Sequence, residues 1–139
     1  MKKEYVSNSM EQTKKIAAEF ADSISAGDIV LLNGDLGAGK TVFVKGVAEK
    51  MSNGSVVANS PTFLILNIYD TTPKIYHFDL YRIKDVSELD AIGAEEYFYG
   101  DGICFVEWSE RALNYFPKKS IKVDIIKNGD DKRIIRIER

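Results

Sequence analysis

One cysteine, Cys104, and one histidine, His77, occur among the 139 residues. A lone cysteine excludes an internal disulfide and accords with a reducing compartment, so a cytoplasmic protein is expected. A lone histidine excludes a multi-histidine metal centre, and a structural or supporting role is expected of it rather than catalysis. No apolar run is long enough to cross a bilayer, and the opening MKKEYVSNSMEQTKK has no apolar stretch of the kind a signal peptide needs, so no membrane is expected. Charge of one sign is missing too: nineteen basic residues face twenty-one acidic ones, a net charge of −2. Proteins that grip nucleic acid by themselves usually carry a basic surplus, so any nucleic acid is expected to be handled through a partner. Internal repeats, low-complexity tracts and linkers are also absent. What is present, 45% apolar and 29% charged residues, is the composition of an ordinary globular protein, and the length suits a single domain over 1–139.

Periodicity supplies the elements. Ile16, Ala17, Phe20, Ala21 and Ile24 recur at helical spacing, predicting a helix from Met10 to Ile24 with Gly27 as its stop. Ile29-Val30-Leu31-Leu32 suits a strand buried on both faces. Val44, Val47, Ala48 and Met51 mark one face of a second helix that ends near Asn53-Gly54. FLILNIYDTTPKIYHFDLY predicts two antiparallel strands turning at Thr71-Thr72-Pro73-Lys74. Ser87 and Asp90 have capping-box spacing for a helix running through Tyr97. GICFVEW is a further strand ending at Glu107, Ser109 is a candidate cap for a short helix closed by Pro117, and the tail around Asn128-Gly129 predicts a hairpin. The sum is an α/β domain with a mixed sheet, a parallel core with antiparallel additions.

Between the first strand and second helix lies GDLGAGKT: Gly34, Asp35, Leu36, Gly37, Ala38, Gly39, Lys40 and Thr41. It fits the phosphate-loop pattern G-x-x-x-x-G-K-[ST], and strand, loop, helix is the order that pattern needs. Backbone N–H groups of such a loop converge on an anion at a helix N-terminus. The glycines let the chain turn and approach the phosphates, Lys40 is expected to reach the β- and γ-phosphates, and the Thr41 hydroxyl to ligate Mg²⁺. A three-layer fold like that of other phosphate-loop nucleotide hydrolases follows.

Hydrolysis also needs groups near the metal and the attacking water. Asp79 and Glu107 each sit at the end of an apolar strand, where ligands collect in α/β sheets. Either alone could be a solvated strand end. Thr62 in Ser60-Pro61-Thr62 offers a hydroxyl on a stiff turn that could sense a γ-phosphate. Trp108 could stack on a base or partner, or cover the core; Arg82 could meet phosphate, a partner or only solvent; Cys104 reads as a buried hydrophobe.

In order, GDLGAGKT, SPTF, HFDLYR, IGAEEYF and VEWSE resemble the TsaE family of bacterial phosphate-loop ATPases, and the likeness covers nearly the whole chain. Val106 and Ser109 flanking the Glu107-Trp108 pair are mild departures, and the C-terminal hairpin carries no matched residues. The resemblance implies an ATP- and Mg²⁺-dependent component of the machinery that makes threonylcarbamoyladenosine in tRNA. It implies association with the TsaD and TsaB proteins, contact with tRNA only through that complex, and low activity without those partners. It makes Thr62 the switch-like threonine, Asp79 the Walker-B-like carboxylate and Glu107 an acid near Mg²⁺ or the attacking water. Trp108 would lie beside that site, and Thr13 matches a recurrent first-helix threonine near the nucleotide.

Rival readings are a GTP switch, a small-molecule kinase and a nucleotide-gated scaffold. No Asn-Lys-x-Asp guanine-recognition string occurs, and the five arginines are scattered without an Arg-rich lid. The scaffold stays open, because gating and hydrolysis use the same residues.

Overall fold

The first helix owes its start to Ser9, whose Oγ accepts the Gln12 N–H at 3.1 Å while Gln12 Oε1 accepts the Asn8 N–H at 2.6 Å. The computed structural model describes residues 1–56 and 65–139. In chain order these form β1 (Lys2–Ser7), α1 (Met10–Ala21), β2 (Ile29–Asn33), α2 (Lys40–Ser52), β3 (Leu66–Tyr69) and β4 (Ile75–Asp79). There follow α3 (Ser87–Ala91), α4 (Ala94–Phe98), β5 (Ile103–Glu107), a 3₁₀ segment (Ser109–Tyr115), β6 (Ile121–Lys127) and β7 (Arg133–Glu138).

Among the described residues one seven-stranded sheet forms, ordered β1-β7-β6-β2-β5-β4-β3. Its centre, β6-β2-β5-β4, is parallel; β3 pairs with β4, β7 with β6 and β1 with β7, all antiparallel. The predicted mixed sheet is therefore present. Alternation along each strand divides the side chains between two helical layers. Val30, Leu32, Ile103 and Phe105 pack with Ala17 and Phe20 of α1 and Phe43, Val44 and Val47 of α2. On the opposite face Phe78, Cys104 and Val106 pack with Leu89, Ala94, Phe98 and Phe116. His77, Asp79 and Glu107 lie at odd positions of β4 and β5, so alternation puts them on the α2 face.

Four local expectations need correction. β1 has no counterpart in the apolar pattern, because an edge strand takes its hydrogen bonds from β7 and tolerates exposed charge. Helix α1 stops at Ala21 rather than Ile24: Ser23 bonds the Phe20 carbonyl with both its N–H and its Oγ, at 2.9 and 2.7 Å, and so turns the chain out of the helix. The helix expected through Tyr97 is two short ones, divided at Gly93 with φ of 67°. Ser87 is already inside the first of them, and the acceptor there is Glu88, whose Oε2 takes the N–H groups of Lys84 and Asp85. Ser109 likewise lies inside its 3₁₀ segment, which follows Trp108 and ends before Pro117.

Candidate nucleotide-binding site

Residues 34–39 join β2 to α2, and their conformation leaves the start of α2 without a capping side chain. Gly39, the residue before the helix, has φ of 109°, makes no side-chain cap, and no acidic residue stands in the first turn. A helix N-terminus exposes backbone donors and a partial positive charge, so this one suits an anion. Gly37 and Gly39 both have positive φ, and nothing lies within 4 Å of where a Cβ would project from either. Gly34 serves differently. A Cβ there would come within 2.7 Å of the Ile125 carbonyl oxygen, so its glycine lets the loop pass close to β6 rather than open a path to phosphate. Asp35 and Leu36 are exposed at the loop's outer turn, Ala38 is buried beneath it, and Thr41 sits in the first turn of α2.

Lys40 is only 5% exposed. Its Nζ donates to Gly34 O at 2.7 Å and lies 3.8 Å from the centroid of the Trp108 ring. Burial pushes the pKa of this ammonium down, opposed by the negative charges of Glu107, Glu110, Asp79 and Asp35. Glu110 belongs to this group although nothing in the sequence marks it; only the turn after β5 brings it near. Trp108 has φ of 61°, a left-handed conformation that is costly for a bulky residue. The indole ring also meets Tyr81, with ring centroids 4.8 Å apart, and Arg111 lies over Tyr81 at 5.3 Å.

Asp79 and Glu107 are register partners on the adjacent parallel strands β4 and β5. Asp79 Oδ1 accepts the Tyr81 N–H at 2.9 Å. Burial raises the Asp79 pKa, as does the Glu107 charge, against the lowering effects of the Tyr81 hydrogen bond, His77 and Lys40. Glu107 is buried, and its Oε2 lies 2.5 Å from His77 Nε2; His77 Nδ1 lies 3.0 Å from the Tyr69 hydroxyl. The His77 ring bridges the two, one nitrogen facing the carboxylate and the other the tyrosine hydroxyl. The supporting role expected of His77 thus has a definite geometry, and the signal for it was its position two residues before Asp79 on one strand face.

Thr13 is buried in α1, its Oγ1 2.7 Å from Ser7 Oγ. It helps wall a cavity of about 190 Å³ together with Gly37, Gly39, Val42, Asp131 and Arg133. Thr62 lies outside the described residues. Arg82 is exposed between β4 and α3, and Cys104 is buried in β5 with its thiol pKa raised to about 12 by burial. Two contacts of the loop region leave no trace in the sequence pattern. Asn33 Nδ2 donates to Asp124 Oδ1 at 3.0 Å, tying the end of β2 to β6, and Arg133 Nε donates to Ala38 O at 2.9 Å.

The donor set fits a triphosphate with a hard cation: an ammonium, loop and helix N–H groups, a hydroxyl at Thr41 and two carboxylates. Among the described residues no cluster of three or more His, Cys, Asp or Glu side chains could hold a metal alone. Mg²⁺ is commonly held by one or two carboxylates with phosphate oxygens and water, which this set can provide.

Residues 7–135 match the family described as threonylcarbamoyl adenosine biosynthesis protein TsaE. The protein named tRNA threonylcarbamoyladenosine biosynthesis protein TsaE in Bacillus subtilis is 44% identical over 126 residues, 90% of this chain and 78% of the relative. Its namesake in Rickettsia prowazekii is 40% identical over 95% of this chain and 92% of its own length, and that in Treponema pallidum 34% identical over 95% and 97%. The crystal structure of YdiB from Bacillus subtilis superimposes with a TM-score of 0.80 at 35% identity, covering 99% of this chain and 84% of that one.

Proposed function

The chain belongs to the TsaE family of threonylcarbamoyl adenosine biosynthesis proteins, and on that premise we propose that it is a Mg²⁺-dependent ATPase sustaining turnover of a TsaD–TsaB complex. One arrangement carries this reading. A buried lysine stands at the start of an uncapped helix, and two carboxylates stand in register at neighbouring strand ends on the same sheet face.

In this reading residues 34–41 grip the phosphates, with Lys40 and the α2 N-terminus offsetting their charge. The Thr41 hydroxyl and Asp79 would hold Mg²⁺, which supplies charge neutralisation on the phosphate oxygens when bound. Glu107, fixed by His77, orients the attacking water or shares the cation. Trp108 covers the site and keeps bulk water from Lys40. The cavity beside Thr13 takes the nucleoside end of ATP. Asp35 and Ala38 close the loop's own turn through the Ala38 N–H, Leu36 contributes backbone, Thr62 reads the γ-phosphate, and tRNA is met through the partners. Such work belongs to a single domain acting in the cytoplasm. Among the described residues no helix is long and apolar enough to cross a membrane.

The test is ATP hydrolysis measured with and without TsaD–TsaB and tRNA, following modified adenosine in parallel. Hydrolysis stimulated by the partners, and lost in Lys40→Ala, is expected. Full product over many cycles with a non-hydrolysable ATP analogue would instead make the protein a nucleotide-gated scaffold.

A further inference from the structure

Arg133, the first residue of β7, is far from the loop in sequence and adjoins it in space. Its Nε donates to Ala38 O at 2.9 Å and its Nη2 reaches Gly37 O at 3.4 Å. On the other side Nη1 donates to the carbonyls of Lys132 at 3.0 Å and Asp130 at 3.1 Å, with Gly129 O at 3.4 Å. One guanidinium thus fastens the β6–β7 turn to two consecutive peptide groups of the phosphate loop. Strand pairing fixes its place, because Arg133 stands opposite Ser7 at the end of β1 and Lys127 at the end of β6.

A trans peptide points its C=O and its N–H in opposite directions. The carbonyl of Ala38 belongs to the same peptide plane as the N–H of Gly39, so holding that oxygen on Arg133 turns the Gly39 N–H the other way. The Gly37 carbonyl shares its plane with the Ala38 N–H, which is committed to Asp35 O at 3.0 Å in the loop's own turn. Gly39 has φ of 109° and no side chain to lock its peptide, so an external clamp on that plane has a real effect. The bonds are charge-assisted at the donor, which both narrows the range of loop conformations and polarises the Gly39 N–H.

We propose that Arg133 is a positioning residue for phosphate, a clamp on the back of the loop that aims the Gly39 N–H at the anion. The inference rests on the nucleotide-binding reading given above. It also gives the C-terminal hairpin a role, since the hairpin braces the loop from outside. Removing the Arg133 guanidinium would loosen the grip on phosphate without touching Lys40 or the carboxylates.

Two measurements on the full chain test it. In ¹⁵N-labelled protein without nucleotide, Arg133→Lys and Arg133→Met are expected to shift the Gly39 amide resonance strongly and those of Val44 to Ala48 little. An unmoved Gly39 amide in both variants overturns the proposal, and this measurement stands whether or not ATP binds. In competition against a fluorescent ATP analogue, both variants are expected to lose roughly tenfold in affinity for ATP and for tripolyphosphate alike, the scale of one charge-assisted hydrogen bond. Weakened ATP binding with unchanged tripolyphosphate binding would place Arg133 at the nucleoside and overturn the clamp. Arg136→Met, which removes an exposed partner of Glu4 on the same strand, controls for loss of a β7 charge and is expected to change neither reading. A wild-type protein that binds neither ATP nor tripolyphosphate removes the nucleotide reading instead.

Discussion

The ammonium of Lys40 sits 3.8 Å from the centroid of the Trp108 ring, held there by a tryptophan whose own backbone is in the left-handed region. A cation over an indole face contributes about 0.5–2 kcal/mol, depending on how dry the contact is. In the proposed function a triphosphate would compete for the same ammonium. Because Trp108 is the only tryptophan, tryptophan emission reports the surroundings of this one ring, where Lys40 and Tyr81 both meet it. ATP is expected to change the emission of the wild-type protein and to leave that of Lys40→Ala unchanged. Trp108→Phe, which keeps an aromatic face, is expected to bind ATP within about threefold of wild type, and Trp108→Ala several-fold more weakly. A fluorescence titration reads the first effect and calorimetry the second.

Glu107 is expected to matter for turnover more than for binding. Its carboxylate is buried and held by His77, so replacement by the isosteric amide keeps the shape and removes the charge. Glu107→Gln is expected to lower the ATPase rate by roughly 100-fold or more with partners present, the usual scale for a positioned acid or base, while the dissociation constant of ATP changes little. Single-turnover hydrolysis beside equilibrium binding separates the two. Unchanged turnover would remove Glu107 from the site.

Asp79 carries a stability cost that follows from its surroundings. Burial and the neighbouring Glu107 charge raise its pKa above the usual 3.8, so the folded state holds the proton more readily than the unfolded one. The ionised carboxylate therefore destabilises the fold at neutral pH, and this cost disappears as pH falls through the folded pKa. Asp79→Asn keeps an acceptor for the Tyr81 N–H and removes the charge. It is expected to raise Tm by roughly 1–4 °C at pH 7 and by progressively less on acidification, and to abolish Mg²⁺-dependent hydrolysis. Thermal melts across pH, compared with ATPase rates, test this opposition between stability and activity.

How much of this was legible in the sequence varied with the range of the interaction. The loop, its strand and its helix are local, and GDLGAGKT announced them. Asp79 and Glu107 were visible as strand ends, but only the parallel register of β4 and β5 sets them side by side. The partnership of His77 and Glu107 spans thirty residues and Arg133 to Ala38 ninety-five, distances over which periodicity says nothing. Strand β1 gives no sequence signal because its alternating face, Tyr5 and Ser7, is short and mostly polar, and its pairing comes from β7 rather than from its own composition. Gly34 belongs to the phosphates by pattern, whereas the close approach of Ile125 accounts for it.

Gly46, in the interior of α2, is the place where two helices that serve the site come nearest. A Cβ there would lie 2.8 Å from Ala17 Cβ and 2.9 Å from both the Cα and the carbonyl oxygen of Lys14, all on α1. In an isolated helix Gly→Ala stabilises by about 1 kcal/mol. Here two of the three overlaps involve α1 backbone, which cannot rotate aside, and overpacking of that kind costs about 1–3 kcal/mol. The overlap is expected to win, so Gly46→Ala lowers Tm by a few degrees, roughly 3–4 °C for a net loss of about 1 kcal/mol at this chain length. Adding Ala17→Gly removes only the softest of the three contacts and is expected to recover little. Because α1 carries Thr13 and α2 begins with Lys40, pushing the helices apart is also expected to weaken ATP binding in protein that is still folded. A Gly46→Ala protein that melts higher than wild type would show that the helices yield at this contact.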